Sequence, residues 1–168
     1  MNADDLIVMI EHAFADVRRD DGVSMHEADV IDKYGSESER RKARLKDPDS
    51  RWQDVPDSEI EEHSEALCFL DLKGFRYYLP AYMRWTVRHF KTSDSFTADA
   101  TIYALTLSDR TDLQKWEKER WVVFNDEQSR VILKFLDFMA NDADELVDSR
   151  SARAAIDTHW KQFSQQGS

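Results

Sequence analysis

The chain has 168 residues, the size of one ordinary domain, with 41% hydrophobic residues, enough for a core without disulfides. Its 34 acidic and 23 basic residues leave a net charge of −11, which argues against a general nucleic-acid binder because phosphate contact needs positive surface. Four glycines and three prolines are too few for a many-stranded sandwich, and the single cysteine, Cys68, excludes an internal disulfide framework.

Helical periodicity opens the chain. Leu6, Ile10, Ala13, Phe14 and Val17 recur at helical spacing, with acids on the other face, until Asp20-Asp21-Gly22. Ser24 to Glu27 reads as a capping box for a helix through Val30 and Ile31 to Tyr34, with Gly35 expected at the C′ position. Ser36 to Glu39 offers a second box for a charged helix ending near Lys46. Trp52 and Val55 are expected to anchor the next loop, and a helix carrying Ile60, Ser64 and Leu67 follows Pro56. Asp71 caps the best-defined helix, where Phe75, Tyr78, Leu79, Tyr82, Trp85, Thr86, His89 and Phe90 form an aromatic stripe. Pro80 lies inside it and predicts a bend or two abutting helices. Tyr77 and Tyr78 are adjacent and are not expected both to face the core, so at least one hydroxyl is expected to reach solvent or a polar partner.

Beyond Ser93, residues 98–107 are ambiguous, and Asp112 can cap a helix carrying Leu113 and Trp116. Trp121 to Phe124 is strand-like but too short to build a sheet. Asn125 caps a helix with Val131, Ile132, Phe135, Leu136 and Met139 on its stripe, and a last helix over about 149–163 carries Ala152, Ile156, Trp160 and Phe163 before an end expected to fray. The expected fold is mainly α: one domain over 1–168, six to eight helices and at most one short strand pair. No run is apolar enough to span a membrane, and acids flank the first apolar segment, so a cytoplasmic protein is expected.

Charge is distributed in blocks. Residues 52–71 hold seven acids and no bases, whereas 72–93 hold five bases and no acids. Lys73, Tyr77, Arg84, Arg88 and Lys91 share one face of the Asp71-capped helix. The preferred reading pairs these arginines with the acid run 52–71. The alternative is a site for an anionic ligand formed by Arg76, Tyr77, Arg84 and Arg88 on helix 72–91, since the guanidinium fork suits carboxylate or phosphate.

Catalytic signals are sparse. His26-Glu27 begins like a zincin helix, but Val30 stands where the second histidine belongs. His26, Glu27 and Asp32 could do acid–base work if folded into a cleft. Glu59 and His63, one turn apart with Glu62 adjacent, could offer two metal ligands on a helix face, though solvated helix residues are the preferred reading and no metal or other cofactor is expected. Cys68, between Leu67 and Phe69, is expected to be a buried, inert thiol. Neither a glycine-rich phosphate loop nor a nucleophile elbow occurs, so an enzyme is the less favoured class.

Several stretches together resemble a known family: His26 to Gly35, Arg51 to Pro56, Ala66 to Asp71 running into Gly74 to Trp85, then Ser93 to Ser95, Thr101 to Tyr103 and Phe124 to Gln128. They are similar to the bacterial domain-of-unknown-function family numbered 6714 over about residues 25–140. The resemblance implies a stand-alone cytoplasmic bacterial protein and carries no catalytic residues over to this chain. With the acidic charge, the favoured function is a protein-binding module of the immunity or inhibitor type acting on a basic partner. An anionic-ligand domain and an acid–base enzyme are the alternatives.

Overall fold

A computed structural model describes residues 1–48 and 50–164. The end expected to fray lies, from residue 165 on, outside the described residues. Nine α-helices form and no strand occurs among the described residues: α1 (Ala3–Ala13), α2 (Met25–Asp32), α3 (Glu37–Arg44), α4 (Asp57–Glu62), α5 (Leu72–His89), α6 (Thr97–Tyr103), α7 (Thr111–Trp121), α8 (Asp126–Asn141) and α9 (Ser149–Thr158). Eight have seven residues or more, and short 3-10 turns at 52–54, 66–68, 144–146 and 160–164 join or extend them. The chain is an all-α single domain.

Local chemistry sets most of the boundaries. Asn2, Ser36, Asp71, Asn125 and Asp148 each accept a backbone N–H of the first helical turn, meeting donors that the helix cannot satisfy itself. The α2 terminus corrects one expectation. The left-handed residue is Tyr34 (φ 56°), not Gly35. Tyr34 N–H bonds the Ile31 carbonyl (3.0 Å) and Gly35 N–H bonds the Val30 carbonyl (2.8 Å), so the closing motif falls one residue early and Gly35 takes the following position.

Helix α5 is the centre of the molecule, packed by α1, α4 and α6. It runs unbroken through Pro80 rather than as two abutting helices. Burial extends round its circumference from Gly74 to Val87 except at Arg76, so Tyr77 and Tyr78 are both fully buried, against the expectation that they cannot both face the core, while the expected polar partner of a hydroxyl is present. The paired rings meet edge to face at 4.8 Å, and the Tyr78 hydroxyl accepts from Arg19 (2.8 Å) and from Met25 N–H (3.2 Å), which is how its polar end is kept satisfied. Gly74 is required by close approach, since a Cβ there would sit 2.4 Å from the Val23 carbonyl oxygen.

Trp121 to Phe124 makes no strand. Trp121 ends α7 and Phe124 N–H closes a turn onto the Trp121 carbonyl (3.2 Å), burying residues 121 and 124 and exposing Val122. This three-residue spacing of buried rings is helical. Leu113 and Trp116 lie on the exposed side of α7, and Trp116 covers the buried Arg120 guanidinium, which is stacked over Phe75 on its other side (4.8 and 4.0 Å). Trp52 fulfils its anchoring role: it is fully buried and donates to the Phe14 carbonyl at 2.8 Å.

Candidate functional site

The basic face of α5 is spent on internal contacts. Arg84, only 6% exposed, lies over the Trp52 ring (4.9 Å) and donates to the Gln53 carbonyl (3.1 Å) and to Glu11 (3.4 Å). Arg88 approaches the same Glu11 carboxylate at 3.9 Å, and Lys73 pairs with Asp21. The arginines therefore pair with α1, not with the acid run 52–71. The reason is packing: α5 lies against α1, and from that run only Asp57 answers the end of α5, through His89 (2.9 Å). Arg76 stands apart from this group. It donates to the Gln128 side chain (3.3 Å) and lines a cleft of about 560 Å³ with Arg18, Asp16 and Glu127. Arg76, Tyr77, Arg84 and Arg88 thus do not converge on one cavity.

His26, Glu27 and Asp32 also take separate places. Glu27 turns into the α2–α3 contact, where its buried carboxylate accepts from Arg44 (2.6 Å) and from Ser24 N–H (3.3 Å), with Arg40 at 3.6 Å. Asp32 is exposed at the end of α2. His26, in the first turn of α2, faces α4 instead.

There a histidine–carboxylate centre forms. His26 Nδ1 lies 2.7 Å from Asp47 Oδ1, and the His26 backbone N–H donates to Asp47 Oδ2 at 2.9 Å. The other ring nitrogen, Nε2, lies 3.6 Å from Glu59 Oε2. One turn on, at the C-terminus of α4, His63 Nδ1 lies 3.7 Å from that same Glu59 oxygen and 2.9 Å from the Glu59 carbonyl oxygen. His63 Nε2 lies 3.0 Å from Asp29 Oδ2 of α2. The order across the centre is therefore Asp47, His26, Glu59, His63, Asp29, carboxylate and imidazole alternating. The two rings meet edge to face at 4.7 Å, and the buried Tyr82 hydroxyl of α5 donates to the His63 carbonyl at 2.6 Å, tying the centre to the core. Burial holds the Tyr82 hydroxyl well above its ordinary pKa, so it remains a donor.

Two clefts flank the centre. Glu59 and Asp47 line one of about 450 Å³, together with Met25, Lys46 and Tyr78. His63 lies in the other, of about 110 Å³, whose charged lining is otherwise Asp29, Asp32, Glu62 and Glu65, with no base. The sequence singles out Glu59 with His63, and His26 separately. Asp47 carries no signal of its own because it stands in a basic segment, and nothing local connects residue 26 with residue 59.

Cys68 is exposed, contrary to expectation, because it sits on the outer side of a 3-10 turn. Desolvation by the surrounding chain nevertheless raises its thiol above the ordinary range, so it offers no thiolate at neutral pH. Arg120 is the deepest cation without a carboxylate within pairing distance among the described residues. Burial lowers it to about 10, which leaves it charged, and it donates to the Leu67 carbonyl at 2.5 Å.

These features define an all-α protein with a buried, internally paired basic helix at its centre and a histidine–carboxylate cluster between α2 and α4. The chain belongs to a family of unknown function, DUF6714, whose model matches residues 2–164, a wider span than the 25–140 that carries the recognisable motifs. No match was found among curated proteins or solved structures. No helix among the described residues is long and apolar enough to cross a membrane.

Proposed function

We propose that the protein is a recognition module for a cationic partner, of the immunity or inhibitor type, and that the partner's lysine or arginine enters the acidic cleft between α2 and α4. The observation that carries this reading is the lining of that cleft by Asp29, Asp32, Glu62 and Glu65, with His63 and without a lysine or arginine. Its volume of about 110 Å³ suits the end of one side chain rather than a metabolite. The net charge of −11 supplies long-range steering toward a basic surface and suppresses association with acidic ones. The burial of Arg84 and the pairing of Arg88 and Lys73 favour this reading over an anionic-ligand site, because those cations already have partners.

The test uses a lysine-rich peptide as probe. Wild type should bind it at low salt, and the charge reversal Asp32→Lys, Glu62→Lys, Glu65→Lys should abolish binding. A matched reversal of Asp137, Asp142 and Glu145 should weaken it only slightly. Equal loss in both triple variants would mean that net charge alone attracts the peptide, and would overturn the assignment to this cleft.

A further inference from the structure

We infer that His26, Glu59 and His63 form a binding site for one divalent ion of the zinc class. This goes beyond the cationic-partner reading and is read out separately, by metal titration, although the peptide cleft and the metal centre meet at His63 and Asp29.

One ligand atom from each of the three residues lies within 4.8 Å of the other two. Glu59 Oε2 stands 3.6 Å from His26 Nε2 and 3.7 Å from His63 Nδ1. Zinc bonds of about 2.0–2.1 Å at tetrahedral angles set ligand atoms about 3.3 Å apart, so the two Glu59 sides need contract by only a few tenths of an ångström, and rotation of the two rings, whose ligand nitrogens lie within 4.8 Å of each other, closes the third side. His63 Nδ1 would exchange its contact with the Glu59 carbonyl for the metal.

Three further observations favour a metal over a simple set of ion pairs. Glu59 Oε2 is shielded from solvent and has no hydrogen-bond partner, an arrangement that costs free energy unless something occupies the space it faces. The nitrogen of each ring turned away from the triangle has its own carboxylate, Asp47 on His26 at 2.7 Å and Asp29 on His63 at 3.0 Å. Such outer carboxylates orient metal-bound imidazoles and raise their basicity. The backbone also holds the ligands in place, through the His26 N–H on Asp47 and the Tyr82 hydroxyl on the His63 carbonyl. Two imidazoles and one carboxylate select a borderline first-row ion over magnesium or calcium, which take all-oxygen sets. Three protein ligands leave a fourth position, and Glu59 borders the 450 Å³ cleft from which water or a substrate atom could reach it.

The experiment titrates the chelator-treated full chain with Co(II) and Zn(II). Expected are saturable one-to-one binding, visible bands of four-coordinate Co(II) that Zn(II) bleaches, and no competition from Mg(II). His26→Gln and His63→Gln should each weaken binding by about 100-fold or more, and Asp47→Asn by about 10–100-fold as an outer-carboxylate variant. His12→Gln, an exposed histidine on the far side of α1, should change nothing. Folded wild type that gives no saturable Co(II) bands would overturn the proposal whatever the variants do. So would Zn(II) affinity that survives in folded His26→Gln and His63→Gln.

Discussion

The two charged regions of the molecule solve opposite problems. Along α5, the one buried cation, Arg84, has an aromatic face, a carbonyl and Glu11, with only its Nε left without an acceptor, and the buried Tyr78 hydroxyl has Arg19. Between α2 and α4, a carboxylate oxygen is buried with no donor, between two imidazoles whose far nitrogens are themselves held by carboxylates. At Arg84 only Nε lacks a partner and both terminal nitrogens are satisfied, whereas at Glu59 the partnerless atom is a carboxylate oxygen facing two ring nitrogens at 3.6 and 3.7 Å, the arrangement of metal ligands. A basic block in an acidic chain is therefore not by itself a binding face, whereas a one-turn Glu-His pair can supply half of a ligand set.

The largest test of the comparison is the core itself. Trp85→Ala or Tyr82→Ala should cost about 3–5 kcal/mol in denaturant unfolding, because both rings are buried in α5. A loss within about 0.5 kcal/mol would remove α5 from the centre of the account. Next comes Arg84→Gln, which strands the Gln53 carbonyl and Glu11 and should cost about 1–3 kcal/mol with little dependence on salt. Arg88→Gln, at an exposed and longer contact, should cost less than about 0.5 kcal/mol and lose that effect in high salt. Equal effects would contradict the distinction drawn along this helix.

An effect of opposite sign belongs to the α2 end. Tyr34 is 97% exposed and holds a left-handed conformation that glycine adopts without strain, so Tyr34→Gly should raise stability by roughly 0.5–1 kcal/mol. A decrease in Tm would mean that the tyrosine contributes a contact.

His159 supplies the contrast to His26 and His63, since it packs on Trp121 at 4.6 Å rather than on a carboxylate. Burial, helped by Lys118, lowers its pKa, so the folded state prefers the neutral ring. Its contribution is complete above the ordinary histidine value of about 6.5 and is lost as pH falls from there through the lowered folded-state value. Thermal melts from pH 7.5 to 5 should therefore decline less steeply in His159→Gln than in wild type. An unchanged slope would contradict the burial of a neutral ring.

Much of the fold was legible because helix boundaries are local. Ser36, Asp71 and Asn125 cap where their side chains reach three residues ahead, and each does so here. The partners of charged residues were not legible for the converse reason. Arg84 meets Glu11 and Gln53 across α5 contacts that no sequence spacing encodes, and the neighbouring acid run was the natural but mistaken choice. Adjacent Tyr77 and Tyr78 are both buried only because α5 is enclosed on nearly all sides, a property of assembly rather than of its own periodicity. For the same reason Glu59 and His63 are visible as a one-turn pair and His26 as a separate candidate, while their meeting, and Asp47 from the chain after α3, are not.

The contrast between the Arg84 and Glu59 surroundings is tested most directly by comparing Glu59→Gln with Arg84→Gln in the chelator-treated protein. An amide at position 59 would keep the shape of the Glu59 carboxylate and add a donor where one oxygen now has no partner. Glu59→Gln should leave the unfolding free energy unchanged or raise it, while Arg84→Gln should lower it. A loss of stability in Glu59→Gln as large as that in Arg84→Gln would show that the centre is a structural ion-pair cluster like the rest of the charged interior.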